Sequence, residues 1–278
     1  MKRIIKWLSI IVIIIILIII YARYIGTKGL ITKEYTLYDV DLPTKFDGIK
    51  IVHFSDLHYD RAISINKVKK IVKEINLINP DIVVFTGDLV DKDVNLTNDD
   101  YEELANNLNN INAKYGKYAI IGNHDIEKDK DKVIQVFDDS NFKYLENSYD
   151  IIYNKQEKIF IGGIGNVTYS EDNIDKTFEY LDDNDIDYRI ILVHEPDISN
   201  KIIDNYSVNL ILAGHSHNGQ IRLPIIGAIY KPDNAKKYYD EHYVIDGTDL
   251  YISSGVGVST TNFRLFNHLS LNFFRINK

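Results

Sequence analysis

No cysteine occurs in the chain, which excludes disulfides and thiolate metal sites, so a bound metal would have to be held by His, Asp, Glu or Asn. Acidic residues are missing from the first 33 positions, which contain six Lys or Arg. That leaves 26 of the 32 basic residues against all 40 acidic ones in the remainder, a net of -14. Non-specific nucleic-acid binding works by neutralising phosphates with Lys and Arg, so a body this acidic argues against a nucleic-acid partner. A phosphate-bearing substrate would instead have to be drawn in by metal charge. No repeat or low-complexity stretch follows the amino-terminal run, and a composition of 45% hydrophobic and 26% charged residues is that of a globular body rather than a disordered one. The 278 residues suffice for one large core, and the chain reads as one domain behind an anchor.

Lys2, Arg3 and Lys6 precede an apolar run from Trp7 to Ala22 broken only by Ser9 and Tyr21. With Ile4 and Ile5 it approaches the roughly 20 residues that cross a bilayer as a helix, and it has no polar face such as a buried soluble helix shows. A cleaved signal peptide has the same outline, but Tyr21-Ala22-Arg23-Tyr24 has no small-x-small cleavage pattern. The expectation is a transmembrane anchor over residues 1–24 and a tether over 25–33, flexible around Gly26-Thr27-Lys28-Gly29, followed by a catalytic domain over 34–278. The concentration of positive charge before the run predicts a short cytoplasmic tail and an extracytoplasmic body at the cell membrane.

In the body, apolar runs at 48–54, 81–85, 118–121, 188–193 and 209–213 read as strands. Amphipathic patterns at 65–78, 98–111, 132–137 and 174–181 read as helices, and 150–153 with 158–164 as a strand pair. Strands alternating with helices predict an α/β fold with much parallel pairing. The β-rich tail, at 220–223, 243–245, 250–253 and 269–274, predicts a second, more antiparallel sheet.

Five apolar strands each end in metal-ligand residue types: Asp56-Leu57-His58, Gly87-Asp88, Gly122-Asn123-His124-Asp125, His194-Glu195 and Gly214-His215-Ser216-His217. The carboxyl ends of strands in an α/β sheet open onto the ligand crevice, so five segments deliver carboxylates and imidazoles to one edge. Any one Gly-Asp or Gly-Asn is an ordinary turn. Five of the eight histidines at such ends are not explained that way.

In this order the motifs D-x-H, G-D, G-N-H-[DE], H and G-H-x-H resemble the calcineurin-like metallophosphoesterases, over roughly residues 45–265. The segments Ser55–His58, His194–Asp197, Gly214–Pro224 and Arg264–Asn267 look closest to a bacterial membrane- or wall-associated phosphodiesterase branch. The resemblance implies a four-layer α/β/β/α sandwich and two divalent metal ions. Asp56, His58 and His217 would hold the first ion, Asn123, His194 and His215 the second, and Asp88 would bridge them. His124 would face the substrate, with Asp125 orienting it. Imidazole, carboxylate and amide donors suit manganese first, then iron or zinc. A hydroxide shared between the ions would attack phosphorus in a phosphodiester or pyrophosphate, with a lipid-linked or cell-envelope substrate in keeping with the anchor. Arg222 and Arg264 are candidates for gripping a substrate phosphate. His53 and His242 read as structural. Asn218 stands where relatives commonly have glycine, and His268-Leu269 where the related branch continues with prolines. A phosphoprotein phosphatase and a non-catalytic scaffold are the other functions such a chain could serve. No obligate protein partner is expected.

Overall fold

The computed structural model describes residues 1–169, 173–182 and 186–278. Its strands are β1 (Ile31–Tyr38), β2 (Ile49–Phe54), β3 (Ile82–Thr86), β4 (Gly116–Ile120), β5 (Phe142–Tyr144), β6 (Ser148–Asn154), β7 (Glu157–Gly163), β8 (Arg189–Val193), β9 (Leu210–Ala213), β10 (Arg222–Leu223), β11 (Gly227–Ala228), β12 (His242–Ile245), β13 (Thr248–Ile252) and β14 (Ser270–Asn277). The helices are α1 (Lys2–Tyr24), α2 (Ile65–Ile78), α3 (Asn98–Asn109), α4 (Asn123–Asp139), α5 (Ile174–Phe178) and α6 (Ser199–Ile203).

Two six-stranded sheets form, in the orders β1-β14-β2-β3-β4-β5 and β12-β13-β9-β8-β7-β6. Side chains alternate across each strand, which explains the layering. In β3, Val83 and Phe85 pack with Val68, Ile71, Leu104 and Phe137 of α2, α3 and α4. Ile82 and Val84 point the other way, onto Ile161, Ile190, Leu192 and Leu212 of the second sheet. The far face of that sheet, through Ile191, Val193 and Ile211, is covered by Ile174, Phe178 and Ile202. Helix, sheet, sheet, helix is the four-layer sandwich expected. The second sheet pairs antiparallel at β12–β13 and β6–β7 but parallel at β13–β9, β8–β9 and β7–β8, so it is less antiparallel than its alternating tail sequence predicts. Alternation reports one half-buried face and does not report strand direction.

Two segments differ from expectation. Strand β1 starts at Ile31, inside the span expected as tether, and runs parallel beside β14 at the sheet edge. Helix α4 starts at Asn123, so the G-N-H-D motif is its first turn; non-helical angles at Asp129 mark a kink before the stretch whose pattern is legible from 132. Polar ligand residues at a helix start do not produce an amphipathic pattern, which is why that first turn was not visible.

Candidate functional site

Asp56 follows β2, Asp88 follows β3, Asn123 follows β4, His194 follows β8 and His215 follows β9. Three of these strands lie in one sheet and two in the other, so the cluster straddles both sheets at their carboxyl ends. The turns are tight. Gly87 takes φ +93°, and a Cβ on Gly122 would overlap the Asp88 carboxylate, so a larger residue at 122 would push into the pocket.

The ligand atoms of Asp56, His58 and His217 lie within 4.8 Å of one another, as do those of Asp88, His194 and His215. His58 Nε2 is 3.2 Å from His217 Nε2 and 3.5 Å from Asp88 Oδ2. His194 Nε2 is 3.4 Å from Asp88 Oδ2 and 3.3 Å from Asn123 Oδ1, and His217 Nε2 is 3.4 Å from Asp56 Oδ1. The structure thus brings all seven expected side chains into two adjoining groups joined through Asp88. Asp56 and Asp88 are also tied to backbone: His215 N donates to Asp56 Oδ1 at 3.1 Å and His124 N to Asp88 Oδ1 at 2.9 Å.

Hydrogen bonds on the outer ring nitrogens decide which nitrogen faces inward. His194 Nδ1 donates to the Thr86 carbonyl at 2.7 Å, leaving Nε2 with a lone pair toward the cluster. His215 Nε2 donates to the Asp233 carbonyl at 2.8 Å, leaving Nδ1. His58 Nδ1 makes no hydrogen bond among the described residues but lies 3.3 Å from the Asp91 carboxylate, an ion-pair distance, which turns Nε2 toward the cluster. Inward lone pairs beside two buried carboxylates and an amide oxygen are a donor set that fits divalent first-row cations. Charge agrees. Burial pushes the Asp56 carboxyl up to about 6. Burial would raise Asp88 too, but His194, His124 and His58 more than offset it and hold that carboxyl well below the usual range.

Asp91 is the residue that sequence reasoning missed. Its fully buried carboxylate meets His58, lies 3.7 Å from His124 Nδ1 and takes a 2.9 Å bond from Arg61. Its signal was the second Asp of Gly87-Asp88-Leu89-Val90-Asp91, three residues past a ligand candidate. Asp125 is placed differently from expectation: its carboxylate accepts from Gly122 N at 2.9 Å and Val90 N at 3.0 Å, clamping the motif's backbone, while Asp91 is the carboxylate beside the His124 ring.

Arg264 requires a correction. It is completely buried and gives its guanidinium to the carbonyls of Gly257, Ser254 and His268, with Nη2 3.1 Å from His217 Nδ1. A side chain so enclosed supports the ligand loop and does not reach a substrate. Arg222 lies in the β10–β11 hairpin, paired with Asp240 at 2.6 Å. His53 is buried on Thr86, with its pKa pulled down to about 3 by burial, and His242 bonds Asp249 and stacks on Tyr251. Both positions are those of structural histidines. Asn218 lies buried in the loop, and its carbonyl accepts from Arg222.

A family model for the calcineurin-like phosphoesterases matches residues 49–219. The uncharacterized metallophosphoesterase YkuE of Bacillus subtilis is 33% identical over 92% of this chain and 88% of its own length. A transmembrane protein with a metallophosphoesterase domain from Danio rerio is 27% identical over 76% of this chain and 51% of its own. Among solved structures, the sulfate thiohydrolase SoxB of Thermus thermophilus aligns with a TM-score of 0.51 at 10% identity. That alignment covers 78% of this chain and 53% of that one, so the chain spans about half of SoxB, and the likeness is one of fold alone.

Proposed function

Because this chain belongs to the calcineurin-like phosphoesterase family, and is therefore a metal-dependent hydrolase of phosphoesters, we propose that it cleaves phosphodiesters or pyrophosphates beside a membrane, using two divalent ions held by Asp56, His58, Asp88, Asn123, His194, His215 and His217. The observation that carries this reading is the convergence of these seven side chains, from five strand ends, with outer bonds on His194 and His215 that turn their other ring nitrogens inward. Asp56, His58 and His217 form one half of the centre, Asn123, His194 and His215 the other, and Asp88 lies between them. Such ions supply Lewis acidity and a water of low pKa; manganese is the best match, with iron or zinc next.

The chain's own residues do the rest. Asp88, kept ionised by its histidine neighbours, holds both halves of the centre together. His124, whose Nδ1 side faces Asp91 and Lys92 N, offers Nε2 to the substrate. From there it donates a hydrogen bond to a phosphoryl oxygen or a proton to the leaving oxygen. Asp125 fixes the turn that presents His124 and Asn123. No covalent protein intermediate is required.

The catalytic domain spans 34–278 behind a retained anchor at 1–24, with the body on the extracytoplasmic side. Retention is supported by the bonds that residues 22 and 23 make to the body: the Ala22 carbonyl accepts from Arg264 N and Arg23 donates to the Asn262 carbonyl, both at 2.9 Å. The test is hydrolysis of bis-p-nitrophenyl phosphate with added manganese. Asp88→Ala and His124→Ala are each expected to lose about 100-fold or more in kcat. Wild-type rates in both variants would end the proposal.

A further inference from the structure

Among the described residues, the hydrogen bonds that join the amino-terminal helix to the body lie at its last turn. Besides the two bonds of Ala22 and Arg23, the Arg23 guanidinium lies 5.7 Å over the Phe263 ring, and Gly26 packs so closely on the Arg264 carbonyl that a Cβ there would overlap it. The loop that receives the helix is itself paired to the β10–β11 hairpin: Arg222 N donates to the Leu265 carbonyl at 2.9 Å and Leu265 N to the Gln220 carbonyl at 3.3 Å. Helix end, loop and hairpin therefore form one hydrogen-bonded platform. The same hairpin continues from the His215–His217 loop, to which Arg222 and Asn267 are bonded through the carbonyls of Asn218 and His217.

This platform is apolar where it faces outward. Ile225 at the hairpin tip is fully exposed, and Ile226, Ile229, Tyr230 and Phe266 are each more than half exposed. Tyr24 and Ile25, at the end of α1, are exposed to the same degree. Ile225 also takes φ +72°, a left-handed backbone that glycine accepts freely and a β-branched residue does not. The turn is thus strained in order to hold an isoleucine out into the surroundings. An apolar cluster of this kind marks a contact surface, and interfacial segments combine aliphatic tips with tyrosines at headgroup level.

We propose that the Pro224–Tyr230 hairpin, with Phe266, dips into the lipid bilayer that holds α1, as a second membrane contact. The occupant is a lipid surface because the platform is hydrogen-bonded to the last turn of a helix whose membrane-length apolar window has no buried residue, so the hairpin is held where that helix leaves the bilayer. Two contacts fix what one helix leaves free to swivel, and they hold the His215–His217 loop close to the lipid headgroups. This rests on the anchor reading of α1 but not on hydrolysis, so the failure of either can be told apart.

The chain has no cysteine, which makes single-site labelling clean. Full-length Ile225→Cys, Ile226→Cys, Tyr24→Cys and Leu77→Cys would carry an environment-sensitive fluorophore in vesicles of phosphatidylethanolamine and phosphatidylglycerol. Leu77 is exposed on α2 and serves as the solvent control. The expected result is a blue shift at 225 and 226, with loss of fluorescence to nitroxide-headgroup lipids matching that at Tyr24→Cys and none at Leu77→Cys. Labels at 225 and 226 that behave like Leu77→Cys would overturn the proposal. So would a blue shift without quenching, which would place a second copy of the chain over the tip, and so would an unquenched Tyr24→Cys.

Discussion

Strained backbone gathers at the candidate centre. Asp56, His58, Asp88, His215 and His217 have φ of 52°, 44°, 58°, 65° and 49°. Each such residue outside glycine costs on the order of 1–3 kcal/mol and persists only where its surroundings over-determine it. Here the bonds from His215 N to Asp56, from His124 N to Asp88, from His215 Nε2 to the Asp233 carbonyl and from Asn267 to the His217 carbonyl do so, with the Asp91 carboxylate beside the His58 ring. Asp91 in particular sets the His58 ring, and outer partners of this sort are worth about 10–100-fold in metal affinity or activity. Asp91→Ala should therefore weaken manganese binding and kcat/KM by that order in a metal titration and rate assay, with Asp91→Asn intermediate; unchanged affinity would make Asp91 a bystander. Arg264 makes the opposite kind of prediction. Arg264→Leu orphans buried carbonyls at about 1–3 kcal/mol each, so it should lower the unfolding temperature by several degrees. A variant that melts like wild type and shows only a higher KM would restore a substrate role.

At the scale of elements, strand ends carry the ligand candidates apart from Asn123, which opens α4, and the helices cover the outer faces of the two sheets. Helix α3 starts on a capping box in which Thr97 Oγ1 accepts from Asp100 N at 3.3 Å and Asp100 Oδ2 accepts from Thr97 N at 2.7 Å. Thr97→Ala removes one half of it, about 1 kcal/mol, and is expected to lower the melting temperature by about 2–4 °C while leaving kcat/KM unchanged. A loss of activity without a loss of stability would mean that α3 acts on the site directly. The Thr97-x-x-Asp100 signature is visible in the sequence, as are β2, β3, β8 and β9 through their apolar runs. The start of α4 is not, because its first turn is made of ligand and clamp residues whose choice is governed by chemistry rather than by helix periodicity.

Across the whole molecule, the segment leaving the apolar helix α1 is stitched to the β12 edge of the second sheet. Lys33 and Tyr35 of β1 both bond Glu241, the latter at 2.7 Å. Burial pushes the Glu241 carboxyl up, but the bonds from Lys33 and Tyr35 more than offset it, so its folded pKa lies below the ordinary 4.5. A carboxyl lowered on folding adds stability above its unfolded pKa and loses it as pH falls through the folded one. Glu241→Gln should therefore melt below wild type at neutral pH, with the gap closing once pH drops below about 4. A gap that stays constant through that range would assign the effect to packing instead.

The sequence alone determined the family motifs, the strands that carry them and the apolar amino-terminal helix, because each is a local pattern of residue type or spacing. Only the tertiary structure decided which ring nitrogen faces inward, that Arg264 is enclosed, that Asp91 sits between His58 and His124, and that the helix end is bonded to the loop before β14. Those outcomes join residues far apart in the chain, as in the Arg23 bond to Asn262 across 239 positions. Contacts at that separation leave no periodicity or spacing in the sequence, since each is set by how the two sheets and the helix end stack in space.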